Sequence, residues 1–217
     1  MNLKPYLHYG FVIFLTMFSF SGSANAETNT CEGKKLVVLG DSLVAGYGLP
    51  PGEAYPEKLA KIFEQRGSQM TVMNAGVSGD TTSGGLARLD WSLGDDTDAV
   101  ILELGANDAL RGIPVEQTRK NLDEMIANLK AKNIEVMLAG MMAPPNMGST
   151  YGSAFNAIYP ELAEKHGVLL YPFFLDGVAA ERNLNQSDGI HPNKKGIAVI
   201  LERSLPYVDQ LVAKVCN

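Results

Sequence analysis

Histidine, cysteine and tryptophan are nearly missing from this chain: its 217 residues hold three, two and one of them. Two cysteines in the company of so few histidines speak against a metal site built from thiolates and imidazoles. Runs of basic residues are lacking too, and the formal charge is −6. An acidic chain of this kind is a poor ligand for phosphate backbones or anionic lipid surfaces, so nucleic acid is not an expected partner. No Walker loop, no His-Glu-x-x-His pair and no Pro- or Ser-rich linker occurs. Long apolar runs are limited to one, "FVIFLTMFSF" (11–20). At about ten residues it is half of what a membrane-spanning helix needs.

That single run has the setting of an export signal. Lys4 precedes it, and "SGSANA" follows, with Ala24 and Ala26 in the small-x-small pattern of a cleavage site. The expected division is a cleaved signal peptide over 1–26 and one domain over 27–217, exported to the periplasm or secreted, with no stable membrane insertion after cleavage. An uncleaved anchor carrying the same domain is the alternative. The segment 1–26 holds Lys4 and no acid, so its removal takes the charge from −6 to −7. About 190 residues remain, enough for one full core. Cys31 and Cys216 then stand near the two ends. In an oxidising compartment such a pair reads as a disulfide, with two free thiols as the alternative.

What is present is alternation. "KLVVLG" (35–40), "MTVMNAG" (70–76), "AVILELG" (99–105), "IEVMLAG" (134–140) and "VLLYPFF" (168–174) are short, rich in Val, Ile and Leu, and apolar on both faces, as buried parallel strands are. Amphipathic stretches separate them. Tyr55, Leu59, Ile62 and Phe63 share one helical face, as do Val115, Leu122, Ile126 and Leu129, and Pro114 fits a first helical turn. The final "NKKGIAVILERSLPYVDQLVAKV" is helical with a kink expected at Pro206. The predicted fold is a single α/β domain with a five-stranded parallel sheet covered on both sides, its ligand at the carboxyl ends of the strands. A last helix running back from that edge would bring Cys216 towards Cys31.

Three of those strands end in small polar loops: Gly40-Asp41-Ser42-Leu43, Asn74 to Asp80, and Gly105-Ala106-Asn107-Asp108. In a parallel sheet all three lie on one rim. A serine hydroxyl needs a base within hydrogen-bond reach. His8 belongs to the signal, and His166 ends a helix in "EKHG", where a capping or dipole role suits it. His191 precedes the last helix in "SDGIHPN", with Asp188 three residues earlier to orient the ring. The Ser42 and Gly79 backbone N–H groups and the Asn107 amide are the natural donors for a developing oxyanion. Each fragment alone is an ordinary turn or cap. Their joint placement on one rim singles out acyl-transfer chemistry.

The blocks "GDSL", "NAGVSGD", "GAND" and "DGIHPN" resemble the SGNH, or GDSL, hydrolase superfamily. "GLARLD", "ELGANDALRG" and "AIYPELAEKHGVLLYPFF" extend the resemblance to its exported thioesterase, lysophospholipase and arylesterase branch. The resemblance implies a flavodoxin-like three-layer fold, Ser42 as nucleophile, His191 as base and Asp188 as its orienter. It further implies an oxyanion hole of Ser42, Gly79 and Asn107, and no metal or organic cofactor. The Gly-x-Ser-x-Gly elbow of α/β-hydrolases is lacking. Expected substrates are small ester or thioester molecules: aryl esters, acyl thioesters and lysophospholipids. Deacetylation of a polysaccharide and acyl binding by a dead site are the alternatives. The loop "MMAPPNMG" (141–148) offers Met side chains either to an acyl groove or simply as cover for the sheet. Asp41, Asp108 and Arg111 flank the motifs without an assigned role.

Overall fold

The computed structural model describes residues 1–2 and 31–216, so the expected export signal over 1–26 lies, beyond its first two residues, outside the described residues. Among the described residues five strands, β1 (Lys35–Gly40), β2 (Thr71–Gly76), β3 (Ala99–Glu103), β4 (Glu135–Ala139) and β5 (Leu169–Tyr171), form one sheet in the order β2-β1-β3-β4-β5. Every pairing is parallel, with Gly40 opposite Gly76 and Leu39 opposite Leu102. This is the flavodoxin-like order, whose switch point falls where the chain leaves β1 for one neighbour and returns as β3 on the other side.

Crossovers between parallel strands supply the helices: α1 (Ser42–Ala45), α2 (Tyr55–Gln65), α3 (Thr82–Ala87), α4 (Leu89–Ser92), α5 (Ala106–Leu110), α6 (Val115–Ala131), α7 (Ser149–Asn156), α8 (Ile158–His166) and α9 (Lys194–Val215). The stripe foreseen on α2 buries Tyr55, Leu59 and Phe63, and that on α6 buries Val115, Leu122, Ile126 and Leu129. Leu36 to Leu39, Val100 to Leu102 and Val136 to Leu138 form the apolar centre, each at most 1% exposed. α9 passes through Pro206 as one helix, and Asn193 caps it by accepting from Lys195 N and Gly196 N, with Pro192 outside the first turn.

Burial on both faces holds for β1, β3 and β4 but not for β2. β2 and β5 are the two sheet edges: Met73 of β2 is 39% exposed, and Leu169 and Leu170 of β5 are half-buried. Thr71 and Asn74 interrupt the apolar run of β2, where the central strands β1, β3 and β4 carry four apolar residues in a row. At the far end of the molecule Cys31 and Cys216 form a disulfide, with Cα atoms 5.0 Å apart. Among the described residues no helix is long and apolar enough to cross a membrane.

Candidate active site

The chain leaves β1 through Gly40, where there is no room for a side chain. A Cβ there would stand 2.3 Å from Val44 Cγ2 and 2.7 Å from Glu103 O and Oε2. Asp41 then caps α1, its Oδ1 accepting from Leu43 N at 2.9 Å. Burial of Leu43 and Val44 pins the short helix, which leaves Ser42 at its start on the carboxyl rim.

His191 arrives from the loop before α9. Its Nε2 lies 2.9 Å from Ser42 Oγ, and its Nδ1 lies 2.7 Å from Asp188 Oδ2. Asp188 Oδ1 also accepts from the backbone N–H groups of Ile190 and His191, both at 3.0 Å. Desolvation pushes the Asp188 carboxyl up, but the hydrogen bonds from the His191 ring and the two N–H groups outweigh it and hold it at about 2. An ionised carboxylate only accepts, so the proton between them sits on Nδ1, and Nε2 is left to accept from the Ser42 hydroxyl. The Tyr47 ring lies over the imidazole with centroids 4.6 Å apart. Gln186 secures the loop: its N donates to His191 O, and its Nε2 donates to Tyr47 O and Pro192 O.

Gly79 comes from the loop after β2, and Asn107 from the first turn of α5 after β3, on either side of β1. Gly79 adopts φ +86, a conformation that L side chains rarely take, and Arg111 Nη2 donates to its carbonyl at 2.7 Å. Asn107 Nδ2 donates to Asp41 Oδ2 at 3.0 Å and to Asp80 O at 2.9 Å. Both amide protons are thus engaged, and presenting one to an oxyanion means sharing or exchanging a partner. The backbone geometry and these bonds bring all five residues singled out in the sequence to one rim.

Beneath Ser42 lies a feature that sequence reasoning missed, a buried carboxyl pair. Glu103 is fully buried, its Oε2 accepting from Asp41 N at 3.4 Å. Burial and the neighbouring Asp41 push the Glu103 carboxyl well up. Burial likewise raises Asp41, to about 6, against the lowering bonds from Leu43 N–H and the Asn107 amide. Glu103 is thus the harder of the two to ionise, since Asp41 sets the Leu43 N–H and the Asn107 amide against its burial. Asp108 serves the scaffold, accepting from Thr82 N, Thr82 Oγ1 and Thr118 Oγ1. His166 pairs with Asp123 of α6 at 2.5 Å and takes no part in the rim. Among the described residues no group of three or more His, Cys, Asp and Glu is arranged to hold a metal ion.

A parallel sheet of this order, with a Ser-His-Asp array at the carboxyl rim beside its switch point, defines an ester-cleaving serine hydrolase. The chain belongs to the GDSL-like lipase/acylhydrolase family, whose sequence pattern matches residues 38–199. It is 43% identical over 182 residues to an arylesterase of Vibrio mimicus, covering 83% of this chain and 87% of that one. It is 40% identical over 201 residues to thioesterase 1/protease 1/lysophospholipase L1 of Escherichia coli (strain K12), covering 92% and 91%. Among solved structures it resembles the crystal structure of TesA with a TM-score of 0.78 at 38% identity, over 82% of this chain and 99% of that one.

Proposed function

We propose that the chain is an exported serine esterase that hydrolyses carboxylic esters and thioesters through an acyl-enzyme on Ser42, with the mature domain beginning after Ala26. The observation that carries the mechanism is the unbroken hydrogen-bond chain from Ser42 through His191 to Asp188. Ser42 Oγ attacks the acyl carbon while His191 Nε2 takes its proton, and Asp188 stabilises the imidazolium that forms. The negative charge developing on the carbonyl oxygen is met by Ser42 N–H, Gly79 N–H and the Asn107 amide. His191 then gives the proton to the leaving alcohol or thiol, and water, activated by the same ring, releases the acid.

Several features favour aryl esters, acyl thioesters and lysophospholipids as substrates. The relatives named arylesterase and thioesterase/lysophospholipase share most of the chain. Tyr47, Val77, Leu110, Met142 and Ile190 are each about half exposed, and all stand in segments that follow strands of the rim or adjoin His191. Large apolar patches left in water point to a binding surface. A cavity of about 700 Å³ lies beyond α5, lined by Pro114, Val115, Met147 and Tyr151 among others. Glu116, Ser149 and Thr150 also line it and Ser42 does not, so it is not assigned to the acyl chain. Trp91, the one indole, is 94% exposed on α4 rather than in a loop of the site, which gives little support to stacking against a sugar ring. Export accords with the Cys31–Cys216 disulfide, since such bonds persist in oxidising compartments.

Turnover of a medium-chain aryl ester by Ser42→Ala tests the assignment. Removing the nucleophile is expected to lower kcat by a factor on the order of 10⁴ or more. Turnover near that of the wild type would refute it.

A further inference from the structure

Arg88, at the carboxyl end of α3, bonds to neither Ser42 nor His191, yet four of its five guanidinium N–H groups are engaged. Nε donates to Asp80 Oδ2 at 2.5 Å, Nη2 to Gly40 O at 2.9 Å, and Nη1 to Ala75 O at 2.9 Å and Ser92 Oγ at 2.8 Å. Gly40 is the last residue of β1, two before Ser42. Ala75 is the residue before Gly76, which closes β2, and Asp80 follows Gly79 directly. One planar group therefore joins the turn that carries the nucleophile to both ends of the loop that carries Gly79. The ion pair is well shielded, with Arg88 and Asp80 side chains 20% and 16% exposed.

The sheet ladder runs out at this point. Beyond Gly40 and Gly76 no strand pairing fixes β1's exit against β2's exit. The remaining direct link is a single bond from Val77 N to Gly40 O at 3.0 Å. Asn107 holds Asp80 from the β3 side through its carbonyl, and Arg111 holds Gly79 from the solvent side. Asn107 also links the two loops, through Asp41 Oδ2 and Asp80 O, and Arg88 is the side chain that ties the exits of β1 and β2 to each other by their carbonyls.

We propose that Arg88 is a positioning residue that fixes the spacing of the Ser42 and Gly79 backbone N–H groups and thereby sets the oxyanion hole. This rests on the serine mechanism above and adds a residue to it. The geometry demands arginine: a lysine keeps the charge, but its single ammonium cannot reach the Asp80 carboxylate and the Gly40 and Ala75 carbonyls, which here bond to three different nitrogens. Donors to an oxyanion act at 2.7–3.1 Å, so a shift of about 1 Å between the two loops costs rate rather than substrate affinity.

The test compares the wild type with Arg88→Lys and Asp80→Asn, and runs Ser42→Ala alongside. Each is assayed for kcat and KM on one aryl ester, for thermal stability, and for inhibition by an alkyl boronic acid, which forms a tetrahedral adduct on a serine. Arg88→Lys is expected to lower kcat by about 10- to 100-fold, leave KM within about twofold, and weaken the boronic acid by a factor close to the loss in kcat. A kcat within about threefold of the wild type, or a fall in kcat with boronic acid affinity unchanged, would overturn the proposal. If Arg88→Lys does not fold, Asp80→Asn, which removes only the ion pair, is judged by the same criteria. A Ser42→Ala protein that keeps its turnover would sink the serine mechanism itself. Wild-type rate in the Arg88 variant beside an inert Ser42→Ala would sink only the clamp.

Discussion

Asp41 Oδ1 accepts from Leu43 N–H at the nucleophile turn, and its Oδ2 accepts from the Asn107 amide on the oxyanion side. An asparagine offers one carbonyl oxygen and one amide, so it can satisfy only one of those donors and opposes the other. Asp41→Asn is therefore expected to lower kcat by about tenfold or more, measured on an aryl ester at neutral pH. The same variant reads the buried charge. Burial raises the Asp41 carboxyl from 3.8 to about 6, so the folded protein holds that proton over a range where the unfolded chain has lost it. Stability from this group is present below about pH 4 and is lost as pH rises through about 6. Thermal melts across that window should show the stability of Asp41→Asn, relative to the wild type, rising from pH 4 to 6 and levelling off above. A flat difference would contradict a raised Asp41 carboxyl in the folded protein. Neither this carboxyl pair nor the Arg88 clamp was legible in the sequence, because Glu103 sits in an ordinary-looking strand and Arg88 in an ordinary-looking helix end. Their partners are carbonyls and carboxylates brought close only by folding.

At the scale of elements, the strand-helix alternation was readable because parallel crossovers impose it. Val, Ile and Leu runs marked all five strands, and the α2 and α6 stripes were visible as periodic apolar positions. The exposure of β2 was missed although Thr71 and Asn74 interrupt its apolar run, the one sign in the sequence that it is an edge strand. α9 is the element whose course linked two separate inferences. It begins beside His191 and runs back to place Cys216 on Cys31, 185 residues away in sequence. Closing so long a loop constrains the unfolded chain by about 5 kcal/mol in the chain-entropy model, with strain and residual structure tending to reduce it. The double variant Cys31→Ser with Cys216→Ser is expected to melt on the order of 10 °C lower by calorimetry. Its kcat at 25 °C should stay close to that of the wild type, because the bridge lies at the edge opposite the rim. An unchanged melting temperature would show that the bridge adds no stability.

Over the whole molecule, four short motifs, with Ser42 and His191 149 residues apart, meet at one rim. Order along the chain and parallel topology were enough to bring Ser42, Gly79, Asn107, Asp188 and His191 together, because every loop that follows a strand in such a sheet faces the same way. What topology does not specify is how the loops are braced against one another. That bracing comes from Arg88, Arg111 and Gln186, whose partners are backbone carbonyls that carry no sequence signature. The serine mechanism is tested most directly by treating the folded protein with an alkyl fluorophosphonate and mapping the adduct by peptide mass spectrometry. One phosphonyl group on the peptide bearing Ser42, with none on heat-denatured protein, is the expected result. An adduct on another residue, or labelling that survives in Ser42→Ala, would contradict it.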